Sequence, residues 1–264
     1  MIQKIASRLG VYLSEFAHCL RIGVTLRDKL LLLRETVWFH LHHNRPGLVL
    51  EARVKIGKLH PLLRMRRYGG DTFIFHEVLR CGVYDFPESR LGAKPQVVVD
   101  LGANIGLATL SIVSRFPGAR AVCVEPHPEN AQLLRHNLQC LGDRAMVIEA
   151  AVSDHSGYMD LAMAAEHYNA SLVRGGSEIV RVKALTMEEV MSEAGITTID
   201  VLKMDIEGAE LALLENRPQW LEKVRLILAE LHGPRQKEMI GWISEAGFEV
   251  RCDGSQITAW RKCG

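Results

Sequence analysis

Val97-Val98-Val99-Asp100-Leu101-Gly102-Ala103-Asn104-Ile105-Gly106 is the stretch whose reading decides the fold. Three β-branched residues run into an acid, then into a turn of small residues, then into the helical apolar pattern Leu107, Leu110, Ile112, Val113. A continuous apolar run predicts a buried strand, and the spacing of three to four after the turn predicts a helix. Gly102 and Gly106 leave room for backbone to approach a ligand and for the helix to pack on its strand. The first N–H groups of that helix have no partner within it and point into the turn. Such a unit forms a nucleotide-type pocket.

Two details narrow the ligand. The turn reads Gly-x-Asn-x-Gly, so Asn104 stands where the dinucleotide fingerprint has the glycine that admits a pyrophosphate. Asp100, just before the turn, would repel a diphosphate but can bind a cation or hydroxyls. S-adenosylmethionine carries a sulfonium, an amino group and a ribose but no phosphate, and fits better than NAD. The competing reading is an ordinary Rossmann-like turn that binds NAD or nothing.

The chain has 264 residues and a net charge of +1, enough for one large α/β domain with an appendage. A charge this close to neutral gives no electrostatic case for nucleic acid as the main partner. Six cysteines (Cys19, Cys81, Cys123, Cys140, Cys252 and Cys263) include no C-x-x-C pair. That distribution predicts free thiols in a reducing compartment, so the expected location is cytoplasmic. Met1 to Gly23 mixes Lys4, Arg8, Glu15 and Arg21 into its apolar residues, unlike a signal peptide, and no later stretch predicts a transmembrane span.

Residues 1 to about 45 carry helical spacing, first Ile5, Leu9, Leu13, Phe16 and Leu20, then Leu26, Leu30, Leu33, Val37 and Leu41. Two amphipathic helices are expected, capping a core or forming a homodimer face; a membrane-surface role is the third reading. His40-x-His42-His43 lacks further ligands nearby and reads as a solvated helix end rather than a metal site. Residues 46–95 form a lead-in. A strand over Leu48–Ile56 pairs in a hairpin with Leu62–Arg66. Asp71 or Thr72 caps a helix over Phe73–Cys81 that carries Glu77. Arg64, Arg66 and Arg67 read either as the lining of an acidic substrate's path or as charges guarding a strand edge.

From Val97 to the end, residues 96–264, strands and helices alternate. This predicts an α/β domain: a Rossmann-like, mostly parallel sheet with helices on both faces and its last strands antiparallel. The second strand, Ala121–Val124, ends in Glu125-Pro126, where an acid can accept hydrogen bonds from both ribose hydroxyls. A helix over Glu129–Leu141 follows, closed by Gly142. After the strand Met146–Ile148, the small residues Ala151, Val152 and Ser153 leave space for a flat adenine. Gly157–Ser171 reads as a strand and then a loop over His167–Asn169. Thr186 and Glu189 have capping-box spacing. The strand Ile199–Met204 ends at Asp205, Glu207 and Glu210, and the strand Val224–Ala229 ends at Glu230-Leu231-His232. Alternation puts Glu230 and His232 on one side, so His232 is the candidate base with Glu230 orienting it.

Five segments in order then resemble one family: Val99–Gly106, Val124-Glu125-Pro126, Ala150–Asp154, Lys203–Glu210 and Glu230–His232. Together with Arg67–Asp71 and Gly82-Val83-Tyr84 they resemble the FkbM family of class I methyltransferases over roughly residues 65 to 250. The resemblance implies O-methylation of a hydroxyl on a small molecule (a polyketide, a sugar or another specialised metabolite) with S-adenosylmethionine as donor and S-adenosylhomocysteine as product. By position it implies that Gly102, Ala103, Asn104 and Gly106 line the methionine end. Asp100 and Asp205 would face the amino group, Glu125 and Pro126 the ribose, and Ala151 to Asp154 the adenine. His232, Glu230 and Asp205 are the catalytic candidates. No metal is expected, although Asp205, Glu207 and Glu230 offer the oxygen ligands that Mg²⁺ prefers. An N-methyltransferase or protein methyltransferase is the nearest alternative, but Asp205 is followed by Ile206 and Glu207 rather than by the Pro-Pro-aromatic of many amino-group enzymes. A non-catalytic cofactor-binding module is the other.

Overall fold

The computed structural model describes residues 2–41, 44–163, 170–171, 178–215 and 218–261. Two helices, α1 (Ile2–Ile22) and α2 (Leu26–Leu41), precede a hairpin of β1 (Asn44–Arg53) and β2 (Leu62–Tyr68), and α3 (Gly69–Leu79) follows. The chain then alternates through β3 (Val97–Leu101), α4 (Leu107–Arg115), β4 (Arg120–Val124), α5 (Pro128–Asn137) and β5 (Ala145–Ile148). Four strands form a separate small sheet: β6 (Ala151–Val152), β7 (Gly157–Met163), β8 (Ala170–Ser171) and β9 (Glu178–Leu185). Alternation resumes with α6 (Met187–Ala194), β10 (Ile199–Met204), α7 (Glu210–Leu214), β11 (Val224–Glu230) and α8 (Gln236–Glu245), and closes on β12 (Phe248–Asp253) and β13 (Gln256–Arg261).

The central sheet has the order β12-β13-β11-β10-β3-β4-β5. From β11 through β5 every pairing is parallel, and β13 runs antiparallel to both neighbours. This is the Rossmann-like α/β fold expected. All six residues of β10 are buried, as a parallel strand covered on both faces requires. Side chains alternate across β3, so Val98 packs with α4 on one face while Val99 and Leu101 pack with α6 and α8 on the other. Because β10 pairs with both β3 and β11, their carboxyl ends meet at one edge of the sheet, where open α/β folds place their ligands. The capping box of Thr186 and Glu189 is formed at the start of α6.

Several local expectations are corrected. The helix expected to reach Leu141 ends at Asn137 and gives way to a tighter turn over Gln139–Arg144. The Asn137 amide leaves the helix to donate to the Ile105 and Arg64 carbonyls, tying the hairpin to the glycine turn. Asp71 does not cap α3, which already begins at Gly69. Its fully buried carboxylate binds the Arg66 guanidinium at 2.9 Å and the Arg66 main-chain N–H. Arg67 pairs with Glu35 and Arg64 with Glu51, so the three arginines hold the hairpin internally and line no substrate path. His42, His43, His167–Asn169 and Cys263 lie outside the described residues.

The N-terminal helices face the other way from their apolar periodicity. Helix α2 buries Asp28, Leu32, Glu35 and Thr36, and α1 buries Glu15, His18, Cys19 and Ile22. Each buried acid has partners: Glu15 pairs with His40, Glu35 with Arg67, and Asp28 with Thr25 and the Arg53 N–H. Thr36 and His76 of α3 share a hydrogen bond of 2.9 Å. Most of each leucine stripe is left outside, with Leu9, Leu13 and Leu20 and then Leu26, Leu30, Val37 and Leu41 exposed, while Leu33 packs partly buried against the core. Cys19, Ile22 and Leu32 join the same core as Leu50, Phe75, Leu110 and Val98, so this region packs onto the sheet domain through its helices' less apolar faces.

Candidate active site

A cavity of about 400 Å³ opens at the carboxyl ends of β3, β4, β10 and β11, within the size range of small-molecule sites. Gly102, Ala103 and Asn104 form one wall, Glu125 and Pro126 the next, and Ala150, Ala151 and Val152 a third. Asp205, Glu207, Glu230 and His232 gather at the other end. Phe73, Ile74 and Glu77 of α3, with Tyr84, form the remaining side.

The glycine turn is held from behind. A Cβ on Gly102 would lie 1.9 Å from the Asp205 carbonyl oxygen, and its φ is +70°, so no other residue fits where the β10 loop crosses the β3 turn. Gly106 does not line the cavity. It lets α4 approach α5, since a Cβ there would meet the Leu134 side chain at 2.8 Å. Asp100 is also removed from the ligand: it is wholly buried, accepts the Thr109 hydroxyl at 2.6 Å and pairs with Lys203 Nζ at 3.1 Å. Lys203 also donates to the Gly102 carbonyl at 2.7 Å. A lysine within the buried run 201–204 was the available signal, because a buried charge requires a partner. The sheet register places Lys203 directly opposite Asp100.

Glu125 is buried at the cavity wall and accepts three hydrogen bonds: Asn104 N–H at 2.8 Å, His127 N–H at 3.0 Å and the Asn130 amide at 3.2 Å. Burial pushes its carboxyl above the usual range, against the pull of those donors. A carboxylate has about four acceptor positions, so about one is left toward the cavity. The side-chain oxygens of Asn104 and Asn130, both cavity residues, are buried with no hydrogen-bond partner. A ligand that brings N–H or O–H donors satisfies them. Ser153, expected beside adenine, does not line the cavity; its hydroxyl donates to Asp154.

The acidic end is built around His232. Its Nδ1 is 3.0 Å from Glu210 Oε1, and its Nε2 lies 3.8 Å from Glu207 and 4.0 Å from Glu230. The residue that orients His232 is therefore Glu210, not Glu230, which accepts the Ser255 hydroxyl at 2.9 Å. Glu210 is fully buried, and its oxygens also accept the Ile206 and Gly208 N–H groups, which fixes the loop after β10. The Glu210 hydrogen bond raises the His232 pKa to about 9 despite burial. Burial, then the neighbouring Asp205, raises Glu207 to about 7, and its backbone is held at φ +54°. Tyr84 donates its hydroxyl to Asp205 at 2.9 Å; burial and then that carboxylate push the phenol up, so it stays a donor.

Asp205, Glu210 and His232 place ligand atoms within 4.8 Å of one another and form a three-residue group able to hold a metal ion. The set differs from Asp205, Glu207 and Glu230, the oxygen ligands expected for Mg²⁺. An ion there would have to displace the Glu210–His232 bond.

The sequence profile described as the methyltransferase FkbM domain matches residues 100–250. The chain belongs to the FkbM methyltransferase family. It carries the class I, S-adenosylmethionine-dependent domain of that family, and no helix among the described residues is long and apolar enough to cross a membrane. AMB antimetabolite synthetase AmbE of Pseudomonas aeruginosa is similar to this chain at 30% identity over 61% of the chain and 10% of its own length. The 2-O-methyltransferase NoeI of Sinorhizobium fredii is 29% identical over 54% of the chain and 65% of its own length. The 31-O-demethyl-FK506 methyltransferase FkbM of Streptomyces tacrolimicus is 28% identical over 72% and 84%. The chain thus spans a tenth of the first and just under two thirds of the second.

Within this FkbM domain the glycine wall, Glu125 and the orphan amide oxygens suit a ligand rich in donors, and the acids suit a cation. Among the described residues lining the cavity, Lys203 is engaged by Asp100 and the Gly102 carbonyl and His232 is held by Glu210 among carboxylates, which leaves little to attract a phosphate.

Proposed function

We propose that this chain transfers a methyl group from S-adenosylmethionine to a hydroxyl of a small-molecule acceptor, a sugar or a polyketide-type metabolite. The cofactor supplies a methyl on a positively charged sulfur that leaves as a neutral sulfide. Gly102, Asn104 and Asp205 hold its amino-acid end, Glu125 its ribose, and Ala151 and Val152 its adenine. The acceptor sits among Glu77, Tyr84, Glu207 and Glu230. Its hydroxyl proton passes to His232 Nε2 as the C–O bond forms and the S–C bond breaks, and Glu210 holds the imidazole through Nδ1. Orienting the two reactants is worth about 7–11 kcal/mol, and the base adds about 10²–10⁴-fold.

The observation that carries this reading is the His232 imidazole, clamped by Glu210 at 3.0 Å, in the wall of the cavity that also holds Glu125 and the glycine turn. The names of NoeI and of the Streptomyces tacrolimicus protein support oxygen as the acceptor atom. The same carboxylates that keep His232 protonated favour a cation; once one is bound their charge is offset and His232 returns toward neutrality.

Calorimetric titration with S-adenosylmethionine and S-adenosylhomocysteine tests the cofactor. Micromolar binding, lost in Glu125→Ala, is expected. Well-folded protein that binds neither would sink the proposal. Product analysis with a panel of hydroxylated and amine acceptors then decides the atom: methylation confined to amines would replace oxygen with nitrogen.

A further inference from the structure

The outer face of the N-terminal helix pair is apolar where a solvated face would be polar. Leu26, Leu30 and Leu41 of α2 are 71%, 56% and 66% exposed, and Leu9 and Leu13 of α1 are 56% and 60% exposed. In α2 the exposed positions Leu26, Leu30, Val37 and Leu41 recur every four or seven residues and so form one stripe along the helix. Arg27 and Arg34, seven apart, flank that stripe and are exposed. Arg21 is exposed at the end of α1. The acids Glu15, Asp28 and Glu35 of the pair are all buried; Glu15 and Asp28 are paired inward, and Glu35 holds Arg67 on its inner side and Arg34 on its outer side. An outward face of leucines and arginines, with every acid buried, is the pattern of a helix that lies in a lipid interface.

We infer that the α1–α2 face docks on the surface of an anionic lipid bilayer, its leucines in the headgroup–acyl boundary and its arginines on lipid phosphates. The helices lie in the plane of the interface, in keeping with the lack of a spanning helix among the described residues. Charge selects this occupant over a second copy of the chain. Two copies joined through this face would set Arg21 and Arg27 against their counterparts with no acid of α1 or α2 paired to them, and Arg34 with only a Glu35 it shares with Arg67, whereas anionic lipid supplies the missing charge. Docking would also place the bilayer one helix from the cavity. Thr36 of α2 bonds His76 of α3, and Phe73, Ile74 and Glu77 of α3 line the cavity.

The test is flotation of the purified full chain with vesicles of phosphatidylcholine alone and of phosphatidylcholine with phosphatidylglycerol, at low and high salt, alongside sedimentation without lipid. Flotation with the anionic vesicles at low salt, lost at high salt, is expected. Each basic group near an anionic surface is worth about a factor of five, so Arg27→Gln with Arg34→Gln should weaken binding about 30-fold. Leu26→Glu with Leu30→Glu should abolish it. Because both leucines are more than half exposed, that variant keeps its melting temperature and its affinity for S-adenosylhomocysteine, and loss of docking cannot be mistaken for unfolding. Failure to float with anionic vesicles overturns the inference, as does equal binding to neutral ones. A lipid-free dimer that the two leucine substitutions dissociate would assign the face to a second copy instead, and also overturns it.

Discussion

The buried pair Lys203–Asp100 gives the sharpest test of how the cofactor turn is held. Lys203 is 3% exposed and Asp100 is 0% exposed. Lys203→Met removes the cation and leaves Asp100 with the Thr109 hydroxyl as its remaining described partner. Breaking one side of a buried pair costs about 3–5 kcal/mol, so Lys203→Met and Asp100→Asn would together cost about 6–10 kcal/mol if the two sites were independent. They are not independent, because the cost of each single change is an uncompensated charge. The double variant has none. What it lacks is the hydrogen bond from Nζ to the Gly102 carbonyl, a loss of about 1–3 kcal/mol. The double variant should therefore be more stable than either single one. Urea unfolding of the four proteins measures this, and calorimetry with S-adenosylhomocysteine gives the functional counterpart. Affinity should stay reduced in the double variant, because the Gly102 carbonyl is freed in both lysine variants. Additive stabilities would refute the pair as the element that fixes the turn, and full cofactor affinity in the double variant would refute its bearing on the site.

Other outcomes follow from the same geometry. If His232 is the base, kcat/KM rises with pH toward a break near the pKa of about 9 in the free protein, because only neutral imidazole takes a proton. Glu210→Gln should move that break down toward the ordinary histidine value, and a break unmoved by the substitution would exclude Glu210 as its positioning residue. His232→Ala should slow single-turnover transfer by about 10²–10⁴-fold; near wild-type turnover would remove it from the mechanism. His18 of α1 and His76 of α3 are buried against each other, with pKa values lowered by desolvation to about 4 and about 3. Both stay neutral in the folded chain while the unfolded chain takes up protons below about 6.5, so stability falls with acid by roughly 2 kcal/mol per histidine at about pH 5. Urea titrations at neutral and acid pH should show that drop halved in His76→Gln, and an unchanged drop would refute the assignment. Turnover should persist in excess EDTA, since the Glu210 oxygens are engaged by Ile206, Gly208 and His232; inactivation reversed by Mg²⁺ would refute this.

The sheet was legible because its strands are apolar runs closed by glycine and acid, a local signal that tertiary contacts reinforce. Ile199–Met204 coincides with β10 as read from composition alone. The cavity residues after each strand were legible for the same reason: topology brings strand ends together, whatever the loops do. What escaped was direction. Asp100 sits at the end of an apolar strand, and nothing local tells whether its carboxylate points at a ligand or at a lysine about a hundred residues away. The orienting acid of His232 was misplaced because alternation along β11 points to Glu230, while Glu210 arrives from another element. The helix pair shows the same limit. Its periodicity is plain in Leu26, Leu30, Val37 and Leu41, yet the face that packs inward carries Asp28, Glu35 and Thr36, because partners on β1, β2 and α3 satisfy them.

Glu210 joins these observations into one electrostatic argument. Asp205, Glu207 and Glu230 crowd one end of a cavity, an arrangement that costs stability unless something offsets it. In the free protein that offset is the His232 imidazolium, anchored by Glu210 and flanked by Glu207 and Glu230. A cation entering beside Asp205 would take over part of that work, which is how the proposed mechanism lets His232 release its proton before transfer. In the proposed mechanism, methyl transfer would consume the cofactor's charge while His232 took up the acceptor's proton, so the site's net charge would be conserved through the reaction. On that mechanism the carboxylates would favour the reactant and product states alike, and S-adenosylhomocysteine would leave a site whose His232 again carried the positive charge.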